Sequence, residues 1–195
     1  MTQGRPLAYD PDQVLDAAMQ IFWQHGYEAT SMQDLLAAMG LSKSSLYQAF
    51  GGKKELFIRC INRYCEGMSA GLRSLFDEAK SGLAFIEAVL LKSAAEARHP
   101  DMRRGCLLMN TATEFAQKDA EIAARVATGF EGLRGLLTAA ILRGQQEGEI
   151  TADVEADALA SYLVSSLGGI KTVVKGGADE KKVKAIVEVI LRALR

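Results

Sequence analysis

The short stretch around Gly40 constrains this chain more than any other. Ser31 precedes a segment whose Leu35 and Leu36 face inward, with Asp34 in its first turn. A serine hydroxyl there can accept from free backbone amides, and a carboxylate suits the positive end of a helix. Gly40 stops that helix, because glycine takes a left-handed conformation at least cost. Leu41 then supplies an apolar plug, and Ser42 is placed to cap a second helix running from Lys43 to about Phe50. Two helices joined by a glycine-containing turn of roughly three or four residues form a helix-turn-helix unit.

On the second helix Leu46 and Phe50 lie four apart and face the core, which leaves Lys43, Ser44, Tyr47 and Gln48 on the outer side. Lys43 and Tyr47 suit phosphate contacts, while Ser44, Ser45 and Gln48 have the reach for base edges in a major groove. After Gly51 and Gly52, Lys53 and Lys54 open a longer helix, where unpaired amides and lysine charge together favour a phosphate. A capped helical hairpin with a solvated, charged end shares this generic pattern.

Bulk charge supports nucleic-acid binding least. Through Arg63 six bases balance six acids, yet from Lys43 to Arg63 there are five bases and one acid. The expectation is a small basic patch rather than a basic domain. At 195 residues and 49% hydrophobic content the chain can bury a core in one large or two smaller domains. No run reaches membrane-span length and the first thirty residues lack a signal-peptide pattern. Three cysteines, Cys60, Cys65 and Cys106, form no disulfide framework, so reduced thiols in a cytoplasmic setting are expected.

The remaining periodicity is helical throughout, and no segment alternates as a strand would. Asp10-Pro11 opens a helix with an apolar stripe of Val14, Leu15, Ala18, Met19 and Phe22, ending near His25-Gly26. Further helices are expected over 53–80, from Phe85 to before His99-Pro100, and over 102–116, 119–148, 153–174 and 179–194.

Gly26-Tyr27, Thr30-Ser31, Gly40-Leu41-Ser42-Lys43, Leu46-Tyr47, Phe50 and Lys54-Glu55-Leu56-Phe57 resemble the N-terminal domain of TetR/AcrR transcriptional regulators nearly position for position, and the Gly4-Arg5-Pro6 arm resembles it too. The resemblance covers about a third of the chain and implies an all-α fold. A three-helix DNA-binding domain, 1–52, would be followed by an effector-binding and dimerisation bundle, 53–195. It implies a homodimer on a palindromic double-stranded operator, with DNA contacts drawn from Arg5, Ser31, Lys43, Ser44, Ser45, Tyr47, Gln48, Lys53 and Lys54. Dimerisation would use the last two helices, whose apolar faces are Leu159, Tyr162, Leu163, Ser166, Leu167 and Ile170, and Val183, Ile186, Val187, Ile190 and Leu191. Most such regulators are repressors, which sets the expected direction.

An effector is expected in the middle of the bundle. Cys106, Met109, Asn110, Thr113, Phe130 and Tyr162 would line a mostly apolar cavity with a few orienting groups. Ordinary core with local side-chain to backbone bonds is the plainer alternative. The run Arg104 to Ala112, together with Ala49-Phe50-Gly51, also resembles a TetR subgroup that includes regulators responding to electrophiles and oxidants through a thiol. That makes Cys106 a candidate switch if Arg103 and Arg104 turn inward, with Lys171 and Lys175 able to approach. Neither a metal nor another cofactor is expected. Enzymatic function is disfavoured, since the chain has no His-Glu-x-x-His, no glycine-rich phosphate loop and only His25 and His99 as histidines. An effector-binding protein without DNA affinity is a further alternative.

Overall fold

The computed structural model describes residues 9–115 and 117–195; Arg5 and its arm lie outside them. Nine α-helices and two 3-10 turns are formed among the described residues, with no strand. The first three, α1 (Pro11–His25), α2 (Met32–Met39) and α3 (Lys43–Phe50), are each started by a side chain. The Asp10 carboxylate accepts from the Asp12 amide at 2.9 Å, Ser31 Oγ from the Asp34 amide at 3.1 Å and Ser42 Oγ from the Ser45 amide at 3.1 Å. Asp34 returns the bond, accepting from the Ser31 amide at 2.9 Å, so two orphan donors satisfy each other across the first turn. Gly40 sits in the left-handed region at φ 64°, ψ 26°, and lets Leu41 donate back to the Leu36 carbonyl.

The long α4 (Lys53–Glu78) joins two cores. Its start contributes Leu56, Phe57, Cys60 and Ile61 to a core with Val14, Ala18, Phe22, Leu35, Leu46 and Phe50. Beyond it come α5 (Gly82–Ala95), the 3-10 turns Glu96–Arg98 and Pro100–Met102, α6 (Leu107–Phe115), α7 (Ala120–Gln146), α8 (Ala156–Lys175) and α9 (Glu180–Arg192). The second core lies between α5, α7, α8 and α9, from Phe85 and Leu90 to Leu163, Val187 and Leu194. No helix of the described residues is long and apolar enough to cross a membrane.

Two expectations fail here. The helix expected over 102–116 begins only at Leu107, because Gly105 takes φ 75° and residues 103–106 form a turn whose Arg104 carbonyl accepts from Asn110 Nδ2 at 3.0 Å. The broad apolar faces assigned to the last two helices are largely used within the chain: Leu159, Leu163, Leu167, Ile170, Val183, Val187 and Ile190 are all buried in its own core. What stays outside is a narrower stripe, Tyr162 and Val173 on α8 with Ile186 and Val189 on α9. A helix against a bundle interior needs an apolar arc wider than a two-helix seam, and that arc is spent inward.

Candidate nucleic-acid interface and effector cavity

Leu46 and Phe50 are buried and pin α3 against α1 and α4, so its opposite side faces solvent. Lys43, Ser44, Tyr47 and Gln48 are exposed there, Tyr47 by 48%. Ser45 is half-buried and its hydroxyl lies 2.8 Å from Ser42 Oγ, while Ser44 Oγ lies 3.0 Å from the same atom. Ser31 is exposed, with its hydroxyl donating to Asp34 at 2.6 Å.

The lysine pair does not act as a pair. Lys54 Nζ turns to the start of α7, 2.7 Å from Asp119 and 3.2 Å from Glu121, whereas Lys53 Nζ rests 4.3 Å above the Tyr27 ring. Consecutive helical residues point about 100° apart, so adjacent lysines reach different neighbours.

Several contacts fasten the N-terminal helices to the body. Arg63 on α4 holds Asp16 and Asp12 of α1, with Nη2 to Asp16 at 2.7 Å and Nη1 to Asp12 at 2.9 Å. The Arg63 guanidinium draws the Asp16 carboxyl below its ordinary range. Glu114 on α6 accepts from the Tyr27 amide at 3.0 Å and the Glu28 amide at 2.7 Å, capping the loop between α1 and α2. The Trp23 indole donates to the Gly105 carbonyl at 3.2 Å, and Phe22, Tyr27, Phe57 and Phe115 stack with centroids 4.8–6.0 Å apart. Glu114 was not legible as an anchor, because its partners lie 86 and 87 residues away.

The body contains a cavity of about 200 Å³ among α4, α5, α6, α7 and α8. Its walls are mainly Met68, Leu72, Leu75, Val89, Leu133 and Leu167, with Tyr64, Ser93, Lys92, Glu96 and Lys171 as polar groups. Of the six residues expected to line one cavity, only Cys106 and Met109 do so. Asn110 and Thr113 face a separate surface depression beside His25 and Lys175, Phe130 lies in a groove with Phe115 and Val126, and Tyr162 is on the outer side of α8. The short α6 after the Gly105 turn explains the split: Cys106 and Met109 face inward, whereas Asn110 and Thr113 lie toward α1. Tyr64, Ser93, Glu96 and Lys171 come from four different elements with no shared local pattern, so periodicity had no means of grouping them.

Cys106 is buried, 7% exposed, and Tyr64 Oη donates to its sulfur at 3.4 Å. Neither neighbouring arginine turns inward to it. Arg103 donates twice to the Ala97 carbonyl, at 2.6 and 3.2 Å, and Arg104 lies 4.3 Å over the Trp23 ring while bonding Gln20. Lys175 Nζ donates to Asn110 Oδ1 at 3.1 Å and Lys171 pairs with Glu96. Burial lifts the Cys65 thiol to about 11 and raises that of Cys60 as well.

A capped helix-turn-helix unit fastened to a cavity-bearing helical body defines an all-helical regulator. Residues 14–60 match the pattern described as "Bacterial regulatory proteins, tetR family", and residues 82–190 match "Tetracyclin repressor-like, C-terminal domain". The HTH-type transcriptional regulator YezE of Bacillus subtilis (strain 168) is 30% identical over 98% of this chain and 99% of its own. The HTH-type transcriptional repressor ComR of Escherichia coli (strain K12) is 31% identical over 98% and 91%. Among solved structures, a cysteine mutant of the TetR family transcriptional regulator CifR, complexed with 26 bp double-strand operator DNA, superposes with a TM-score of 0.87. It has 29% identity and covers 98% of this chain and all of that one. The chain belongs to the TetR family and is a DNA-binding transcriptional regulator.

Proposed function

We propose that this protein is a homodimeric repressor of the bacterial cytoplasm that reads a palindromic operator through α3 and leaves it when a small molecule occupies the cavity. The carrying observation is the outward face of α3, where Lys43, Ser44, Tyr47 and Gln48 stand exposed on a helix held at its base by Leu46 and Phe50. Lys53, with Arg5 in the arm, would add backbone contacts, and Ser31 lies at the start of α2 beside them. Ser45 and Lys54 are the weakest members of the set, since the first is half-buried and the second is paired with α7. Repression as the direction is supported by the relative named a repressor, and DNA as the partner by the neighbour bound to its operator.

Residues 1–52 would then be the reader and 53–195 the effector and dimer unit, with the first turns of α4 shared between their cores. The stripe of Tyr162, Val173, Ile186 and Val189 would be covered by the same stripe of a second copy, as a twofold interface requires. Half-sites would lie about 34–36 Å apart or a multiple of that. An effector that favours one of two arrangements of α4 and α6 would shift the readers through Glu114 and Arg63. Gel shift of the purified protein with fragments of its own promoter region tests the reading; absence of salt-sensitive, sequence-specific binding there and at other candidate operators would sink it.

A second reading rests on Cys106, whose sulfur lies at the cavity wall beside Tyr64. A reactive cavity occupant would meet this thiol first, making the release covalent or oxidative rather than reversible. Loss of DNA binding on mild oxidation, restored by reductant, is its signature.

A further inference from the structure

The effector reading leaves the chemistry of the occupant open, and the cavity walls restrict it. Lys171 is a largely buried ammonium, 19% exposed, paired with Glu96, itself 20% exposed. An ammonium carries three donors. Among the described residues Glu96 is its one hydrogen-bond partner, so donors remain on an ammonium that borders both this cavity and a neighbouring open depression lined by Arg63 and Glu66. Lys92 also lines the cavity and has no ion-pair partner among the described residues. The wall therefore holds two formal positive charges against one negative, set in a surround of methionine, leucine and valine. Ser93 gives its proton to the Val89 carbonyl at 3.1 Å and Tyr64 gives its own to Cys106, so neither hydroxyl donor is available to neutralise an incoming charge.

Size sets the second limit. A dry apolar cavity of about 150 Å³ accommodates benzene, and this one offers about 200 Å³. The space exists partly because Gly67 and Gly71, one helical turn apart on α4, put no side chain into it; a Cβ built on either meets nothing within 4 Å.

Resting on the effector reading, we propose that the cavity takes a small organic monoanion, a carboxylate on a single ring or short aliphatic chain. Its head is received by Lys171 and Lys92, and its apolar body lies against Leu133 and Leu167. A cationic ligand would meet the excess positive charge. A neutral one would forgo the charge-assisted hydrogen bonds of the two ammonium groups.

Calorimetric titration of the intact protein with benzoate, hexanoate, benzamide, benzyl alcohol and benzylamine tests this. The expected result is saturable binding of the two carboxylates, with the neutral isosteres weaker by about tenfold or more and the amine weaker still. Lys92→Gln, a change at an exposed side chain, is expected to weaken benzoate by about tenfold and leave benzyl alcohol unchanged. Glu96→Gln, which removes the competing carboxylate but keeps its shape, is expected to tighten benzoate. Equal affinity for benzoate and benzamide, or indifference to both substitutions, overturns the anion assignment while leaving the cavity as an effector site. If none of the five probes binds, and Gly71→Leu, which fills the space, alters neither ligand response nor operator release, both the assignment and the cavity reading fall.

Discussion

Tyr47 shows what a single residue contributes to a reader. It is large, nearly half exposed and projects from a helix whose other side is locked by Leu46 and Phe50. Nothing in the chain's own packing requires an aromatic ring there, whereas a phosphate or base edge would use its hydroxyl. Tyr47→Ala and Lys43→Ala are each expected to cost operator binding roughly 1–3 kcal/mol while leaving folding and dimerisation intact, as read by gel shift beside light scattering. Undiminished affinity in both would move the reading face elsewhere. Cys106 is the opposite case, a residue whose surroundings argue against its suggested role. Its neighbouring arginines face away, so mild oxidation is expected to leave DNA binding intact in the native protein and in Cys106→Ser alike; oxidant-induced release that Cys106→Ser abolishes would establish the thiol reading instead.

At the scale of elements, α4 carries the most information. Its first turns belong to the reader core and its middle to the cavity, and Arg63 ties it to α1. Two glycines in the middle of a 26-residue helix are costly. Because neither Gly67 nor Gly71 has a neighbour within 4 Å of an added Cβ, alanine fits sterically at both. Gly67→Ala and Gly71→Ala are each expected to stabilise the protein by about 0.5–1 kcal/mol, measured by denaturant unfolding. A loss of stability at either position would show that the helix-propensity gain does not govern there. On α8 and α9 the exposed stripe makes a separate prediction. Ile186→Asp with Val189→Asp is expected to yield a folded monomer with strongly reduced operator affinity, since two half-sites would no longer be bound together. A persistent dimer in light scattering would place the interface elsewhere.

For the whole molecule, reader and body share one apolar core, and the ion pairs and carboxylate caps spread over both have a pH signature. The Arg63 guanidinium lowers Asp16, the Lys54 ammonium lowers Asp119, and the Ser31 hydroxyl and amide lower Asp34. Glu180 is drawn down to about 2 by Arg98 and Lys184. Each folded-state value lies below its unfolded one, so each contribution is present in full above the ordinary carboxylate range. It is lost as pH falls through the lowered value. Thermal stability is therefore expected to hold from neutral pH down to about 5 and to fall progressively below about 4. Exposure and salt screening keep every individual share small. A midpoint unchanged at pH 3 would show that these pairs contribute nothing net.

Local signals decided the helix-turn-helix unit. Ser31, Asp34, Gly40 and Ser42 act within four residues of their targets, so capping chemistry could be read directly and the start of each short helix with it. The same locality misled at Lys53 and Lys54, which look alike in sequence but part company because Asp119 and Glu121 wait 65 or more residues on for only one of them. The resemblance of fifteen positions to one family reached beyond what periodicity allows, supplying the all-helical architecture and the reader. Only tertiary structure decided which apolar residues of α8 and α9 face inward. It also separated Asn110, Thr113, Phe130 and Tyr162 from Cys106 and Met109, and brought Lys171, Glu96 and Tyr64 to one wall. A hydrophobic stripe records that a residue is buried, not against what. Cavities are made of faces from helices far apart in the chain, and which faces meet is settled by packing the whole body at once.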